Sequence, residues 1–296
     1  MQIAIDSYCF HRYFGECYAG IEQDPGRRLT VWEFLDKARA MEVQGVSLES
    51  CFVPSDEPGL IARLRRELDA RGLSRVWAWG HPNGLGSGTD EAAARDLARH
   101  LGIAAQLGSP VMRICAGGRR TRIASWAEHK RGLVRLLTPL LQAAERHGVV
   151  IAIENHIDLL GDEMLDLMRT FDSPWLGVCF DTANNLRMFE HPLAVAEKLA
   201  PYVRATHIKD VLPQRGDPAL FKTWPSVPLG QGLVEIPEIL AVLQRHGYAG
   251  LLAVEIDYLH PAFRELLGDE EAALADSLGY LRQAVRRVQA KAATPA

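Results

Sequence analysis

The sequence predicts a (β/α)8 TIM barrel, an α/β fold built as a single domain. Three observations carry this. Eight short apolar, β-type runs alternate with eight helical stretches along the whole chain, and regular alternation of that kind implies a parallel sheet with crossover helices. No Pro/Gly/Ser-rich linker divides the 296 residues, and α/β barrels take about 250 residues as one unit. Four of the runs end abruptly in polar, ligand-type residues, at the strand ends where barrel chemistry sits. An open doubly wound sheet would usually carry a glycine-rich turn after its first strand, and DSYCFHRYFG is a poor match. The barrel is expected over residues 1–290, with a frayed tail over 291–296.

The elements follow in order. QIAIDSY is the first strand, and a polar, aromatic loop, HRYFGECYAG, leaves it. Thr30 with Glu33 three residues on predicts a capping box and a helix to about Met41. GVSLES (45–50) is the second strand, and the helix LIARLRRELDAR stops at Gly72. VWAWGHP (76–82) leads to an alanine-rich helix that begins at Thr89. PVMRICAGG (110–118) leads to a long helix with a second capping box, Ser125 with Glu128, ending near Gly148. VVIAIENH, LGVCFD, RATHIKD and LLAVEID complete the strands, with helices at about 164–171, 193–199, 237–246 and 278–288. The connection over 211–236, with Arg215, Lys222, Trp224 and GQG at 230–232, is unusually long. Long ordered loops tend to be functional, so it is expected to be a lid or a substrate wall.

Composition excludes several classes. The net charge of −4 is spread along the chain and leaves no nucleic-acid footprint, while 48% hydrophobic content allows a sizeable core. Five scattered cysteines without a CxxC motif argue against a disulfide framework and for a reducing compartment. MQIAIDSYCF lacks the pattern of a signal peptide, and no run reaches the length of a membrane span. A soluble, cytoplasmic protein with no membrane partner is expected.

Residues two apart on a strand share a face. That groups Ala152, Glu154 and His156; Cys179 and Asp181; Ala205, His207 and Lys209; and Ala253, Glu255 and Asp257. Small residues below and polar ones above would suit a tapering barrel interior with an open mouth. Glu154, Asp181, His207 and Glu255 thus converge as four donors for one divalent metal ion. Three carboxylates and an imidazole form a hard set, suited to Mn2+ first, or to Mg2+ or Co2+, over structural zinc. Taken singly, an acid that ends a strand often just caps the next helix.

His156 points beside Glu154, as a general acid or base, a hydrogen-bond donor to substrate, or a group that orients a metal-bound carboxylate. Lys209 faces inward, to hold a substrate oxygen or to pair with an acid. Arg113 and Glu49 end earlier strands, to bind substrate or to pair across the barrel. His81, beside Trp79, is a further substrate contact or a space filler.

The IENH, FDTAN, HIKD and VEID segments, with GQG ahead of the eighth strand, resemble the xylose-isomerase-like TIM barrels. These are sugar isomerases and epimerases, with inosose dehydratases, hydroxypyruvate isomerase and endonuclease IV relatives. The resemblance covers essentially the whole chain and is strongest over 149–257. It implies one ion held by Glu154, Asp181, His207 and Glu255, with the two glutamates also acting as acid and base on opposite faces of a sugar. A metal-dependent isomerase or epimerase of a keto sugar or polyol follows, working by proton abstraction next to a carbonyl.

Two departures alter the sugar-reading shell. Asn184 stands where ketohexose 3-epimerases tend to carry histidine, and Leu160 where they tend to carry glutamate; Arg215 matches their arginine near the strand-seven histidine only loosely. Asn184 and Trp224 remain candidate substrate contacts. A lyase on the same scaffold, a dehydratase or 3-keto-glycoside deglycosidase working by β-elimination, stays open. There His156 would supply the acid or base, and Tyr8, Phe10, Tyr13, Phe14 and Trp224 would suit an aromatic aglycone. A non-catalytic, metal-stabilised subunit also stays open, as do a homo-oligomer and a partner subunit that completes the pocket. Endonuclease IV-like DNA repair is disfavoured, because that family's zinc-binding histidines and a basic patch are lacking.

Overall fold

Eight parallel strands close on themselves in chain order: β1 (Gln2–Asp6), β2 (Gly45–Glu49), β3 (Ser74–Ala78), β4 (Val111–Ile114), β5 (Val150–Glu154), β6 (Leu176–Asp181), β7 (Val203–Ile208) and β8 (Leu251–Val254). β1 pairs with both β2 and β8, which seals the barrel. The computed structural model describes residues 1–293. Residues 291–293 of the expected tail continue the last helix, and 294–296 lie outside the described residues. Among the described residues no helix is long and apolar enough to cross a membrane, and all five cysteines are free.

The outer ring consists of α1 (Val31–Ala40), α2 (Leu60–Ala70), α3 (Glu91–Leu107), α4 (Trp126–His147), α5 (Gly161–Phe171), α6 (Pro192–Leu199), α7 (Ile236–Arg245) and α8 (Glu270–Ala293). Each faces inward with an apolar stripe. On α4 the buried positions Leu133, Leu136, Leu137, Leu140, Leu141 and Ala144 recur three to four residues apart, so they line one side of a 3.6-residue helix.

The expected caps are met in part. Thr30 and Glu33 form the full capping box. Asp90, not Thr89, caps α3: its carboxylate accepts from Ala93 N, while the Thr89 hydroxyl donates to Gly86 O at 2.7 Å. Ser125 makes no side-chain cap bond, and Glu128 faces Arg131 instead.

The barrel interior below the mouth is filled by Ala4, Val76, Ala152, Cys179, Ala205, Leu251 and Ala253. The small side chains of β5 to β8 leave room for long polar groups one layer up. Register then decides which groups meet: Asp181 lies opposite His207, and His207 opposite Ala253. A register shift at Val178/Cys179 in β6 precedes that pairing; such irregularities re-aim the side chains that follow them. Strand ladders stop earlier than the apolar runs suggest. β1 ends at Asp6, whose carboxylate accepts from Tyr8 N at 2.6 Å and turns the chain into a 3-10 helix, Ser7–Phe10.

The long connection after β7 is tied down at its root. Asp210–Val211 pairs antiparallel with Ser226–Val227. The buried Asp210 carboxylate accepts from the backbone N–H groups of Val211, Gly230, Gly232 and Val234. A side chain at Gly232 would run into that carboxylate, and one at Gly230, where φ is +84°, into Tyr280. The GQG motif is therefore a close-approach device. Asp210→Ala leaves several buried donors without an acceptor, each costing about 1–3 kcal/mol. The expected result is a clearly lowered melting temperature together with faster amide exchange at 230–234. Unchanged protection there would show that Asp210 is not the anchor.

Candidate active site

Asp181, His207 and Glu255 come together at the C-terminal mouth of the barrel, all buried. One potential ligand atom from each lies within 4.8 Å of the others. Asp181 is pinned at its base: its Oδ1 accepts from Ala183 N and Asn184 N, and its backbone N–H donates to the Asn155 side chain at 2.7 Å. Its Oδ2, both His207 ring nitrogens and Glu255 Oε2 are buried, and ion-pair contacts of 2.6–3.3 Å stand in for well-formed hydrogen bonds there. Oxygen and imidazole groups converging from three strands are the ligand types a hard divalent ion takes.

Glu154 sits beside this trio and is held differently. Its Oε2 lies 3.5 Å from His207 Nδ1. It also accepts from Arg113 Nε at 2.6 Å, and its Oε1 from Asn184 Nδ2 at 2.9 Å. Arg113 reaches Glu49 at 3.1 Å as well, so Arg113 and Glu49 do pair across the barrel. Lys209 approaches Glu255 Oε2 at 2.6 Å, Asp257 Oδ2 at 2.9 Å and Asp181 Oδ2 at 3.0 Å. The acid-pairing alternative for Lys209 is the one observed.

Electrostatics follow from this crowding. Burial drives the Glu49 carboxyl up to about 8 and the Asp181 carboxyl to about 6, Arg113 and Lys209 respectively holding them back. Burial acts the same way on Glu255, but His207 and Lys209 overcome it and hold the group well below the usual range. Glu154 likewise stays low, because Arg113 and His207 outweigh its desolvation. Burial alone would depress His207, yet Glu255, Cys179 and Glu154 carry it well above its ordinary value.

His156 behaves in the opposite sense. Burial lowers its pKa and keeps the ring neutral. Nδ1 lies 2.9 Å from the Gly117 carbonyl oxygen, which can only accept; Nδ1 is therefore the protonated nitrogen. Nε2 is left with its lone pair, and a nitrogen of the ring lies within 4.8 Å of ligand atoms of Glu154 and Cys115.

The remaining candidates divide. Asn184 is in the cluster, through Glu154 and Asp181. His81 is half-buried and stacks on Trp79 at 4.9 Å, and Trp79 turns away to donate to Asp96 on α3. Among the described residues no hydrogen bond or ion pair joins His81 to the carboxylates. Trp224 donates to Pro218 O within its own loop. The mouth is roofed by aromatics from two loops: Tyr8 and Tyr18 share a 2.5 Å hydroxyl contact, and Tyr18 meets Phe221 at 4.5 Å between centroids. At the opposite, N-terminal end an opening of about 280 Å³ is lined by Gln2, Arg75, Val111, Arg204 and Leu251 among others. It holds no acid, imidazole or thiol and lies at the wrong face for barrel chemistry.

Asp6 and Arg187 are additions to the sequence reading, and Asp257, already placed on the inward face, gains a partner. Asp6 Oδ2 stands 3.3 Å from His207 Nε2; the signal was present, because QIAID ends in an acid just as LLAVEID does. Asp257 shares the parity of Glu255 and holds Lys209. Arg187, in the turn after β6, had no signal that separated it from surface arginines.

The comparisons agree with this architecture. The family model of the xylose isomerase-like TIM barrel matches residues 35–284. The uncharacterised protein YihM of Escherichia coli (strain K12) is 32% identical over 125 residues, 40% of this chain and 37% of that protein. The 3-oxo-isoapionate decarboxylase of Pectobacterium atrosepticum is 30% identical over 100 residues, 34% of this chain and 36% of that protein. The chain thus spans little more than a third of the length of these two relatives. A xylose isomerase domain protein from Planctomyces limnophilus superposes with a TM-score of 0.73 at 22% identity, covering 97% of this chain and 98% of that one. The zinc-bound IolI protein gives 0.73 at 16% identity, covering 98% and 99%. At such identities the likeness is one of fold. By its matched residues and its closed barrel, the chain belongs to the xylose isomerase-like TIM barrel family.

Proposed function

We propose that the protein is a divalent-metal-dependent isomerase or epimerase that moves a proton next to the carbonyl of a keto sugar or a related polyol. The observation that carries this is the convergence of three ligand-type side chains, Asp181, His207 and Glu255, within 4.8 Å of one another, set beside a neutral imidazole whose Nε2 is free. These three with Glu154 would hold the ion, Mn2+ first and Mg2+ or Co2+ next. When bound, it supplies Lewis-acid polarisation of the substrate carbonyl.

The chain's own groups divide the remaining work. Arg113 keeps Glu154 ionised, and Asn184 orients its other oxygen. Lys209 keeps Glu255 ionised from the opposite side. Glu154 and Glu255 exchange the proton on the two faces of the substrate, and His156 Nε2 serves as an additional acceptor. Tyr8, Tyr18 and Phe221 exclude water above them.

A second reading has its own support. The chain is similar over 100 residues to a decarboxylase of 3-oxo-isoapionate, and His156 is a proton-transfer group beyond the two glutamates. A lyase that begins at the same carbonyl would use both. In either case the partner is a small sugar or sugar derivative.

Glu154→Gln and Glu255→Gln in the manganese-loaded protein should each slow solvent-deuterium exchange into a keto-sugar substrate by about 100-fold or more. Wild-type exchange in both variants would remove the glutamates from the mechanism. Metal affinity should also depend on pH with a defined sign. Without the ion, His207 is held protonated and Asp181 titrates near 6, so protons occupy the donors at low pH. Raising the pH from 5.5 to 7.5 removes the Asp181 proton and weakens the competition for His207, whose proton the ion must displace, so affinity for Mn2+ should increase, up to about tenfold per pH unit for each proton displaced. Titration calorimetry reads this directly, and an affinity that stays flat over that window would exclude these donors.

A further inference from the structure

The buried cations of the barrel mouth are matched by acids, with one exception. Arg113 lies between Glu49 and Glu154; Lys209 lies among Asp181, Glu255 and Asp257; Arg12 pairs with Glu270. Arg187 does not follow. It stands in the 3-10 turn Asn184–Met188 that leaves β6, and it is only 8% exposed. Among the described residues its guanidinium donates no hydrogen bond and has no carboxylate within 4.0 Å. It lies over the Phe221 ring, 5.1 Å from the centroid.

The neighbour that braces this turn is a second arginine. Arg119, just after the Gly117–Gly118 pair, donates to the Arg187 carbonyl at 2.7 Å, and its own buried Nε has no partner. The same loop orients His156 through Gly117 O. Loops after β4, β5 and β6 thus bring Arg119, His156 and Arg187 to one stretch of the mouth. Asp181, Asp257 and the Tyr18 hydroxyl are the other polar groups that face Arg187.

A guanidinium buried this far carries a desolvation cost that no hydrogen-bonded acid offsets. Burial pushes the Arg187 pKa down against the pull of Asp257 and Asp181, and Arg119 adds to the push. Packing on Phe221 alone would be served by an uncharged side chain. A planar guanidinium presents parallel N–H groups that match an oxyanion.

We propose that Arg187, with Arg119, forms an oxyanion subsite beside His156, so that the substrate is a keto sugar carrying a terminal carboxylate or phosphate. This rests on the reading of the mouth as the active site and narrows its substrate class. The carbonyl end lies toward Asp181, His207 and Glu255, and the anionic end toward the loops after β4 and β6.

The test is a binding measurement, so it does not depend on turnover. Calorimetry with the full chain, with and without Mn2+, would compare D-glucuronate with its neutral methyl ester, and D-fructose 6-phosphate with D-fructose. The first pair reports a carboxylate and the second a phosphate. The wild type should bind the anionic member of at least one pair about tenfold or more tighter than the neutral one, the range of a charge-assisted hydrogen bond. Arg187→Met should abolish that preference while leaving neutral-sugar affinity intact, and Arg187→Lys should restore part of it.

Equal binding of anionic and neutral members, no binding of any anionic probe, or a preference that survives Arg187→Met would overturn the proposal. An equal loss for neutral and anionic probes in both variants would assign Arg187 to support of Phe221 and overturn it as well. A protein that prefers the anions but binds no Mn2+ would instead retire the metal reading and leave the subsite standing.

Discussion

An excess of buried negative charge at the barrel mouth is the constraint to which the rest of the site answers. Asp6, Glu154, Asp181 and Glu255 stand around one imidazole, with Glu49 held on Arg113 and Asp257 on Lys209 beside them. In a low-dielectric interior such crowding is expensive. The direction of the shifts records it: Glu49, Asp181 and Asp257 move toward the neutral form, while His207, Lys209 and Arg113 move toward the charged one. Each of these changes reduces the net negative charge, while Glu154 and Glu255, beside the cations, stay ionised. A bound divalent cation would do the same without protonating the donors, which is why the proposed ion and the crowded carboxylates are two views of one imbalance.

The fold tolerates this because the cost is met by rigidity around the cluster. Closed strand pairing leaves no edge to fray. The Asn155 side chain clamps β5 to β6, donating to Asp181 O and accepting from Asp181 N. The Thr182 hydroxyl donates to Lys209 O and accepts from Lys209 N, tying the ends of β6 and β7 together. Carboxylates that repel one another are thus kept at strand ends that cannot move apart, with small residues below them.

That division explains how much was legible beforehand. The barrel follows from alternation alone, and Glu154, Asp181, His207 and Glu255 follow from parity, because strand geometry copies a two-residue period into space. Asp6 obeys the same rule at the end of the first strand. Contacts between loops have no such period. Asp210 looked like one more polar residue after a strand, and its role depends on a chain reversal that returns Gly230 and Gly232 to it. Ser125 and Glu128 had the spacing of a capping box, yet Glu128 turned to Arg131, since an exposed acid takes whichever partner is near. Arg187 became distinctive only through burial, which no local pattern encodes.

Lys209 shows how the two levels join. It follows His207 by two residues, as Asp257 follows Glu255, so both pairs climb the barrel wall by one layer. The upper layer places the ammonium 2.6 Å from Glu255, 2.9 Å from Asp257 and 3.0 Å from Asp181. Glu255 and Asp181 offer their free oxygens to the lower layer also, but Asp257 is not among those donors. It gives Lys209 an acid outside the trio, so the ammonium, which lies against both Asp181 and Glu255, keeps one partner that an ion would not claim. An acid at 257 with the parity of Glu255 thus lets a lysine at 209 sit beside the trio. The spacing of HIKD and EID is thus the sequence form of a two-layer charge balance.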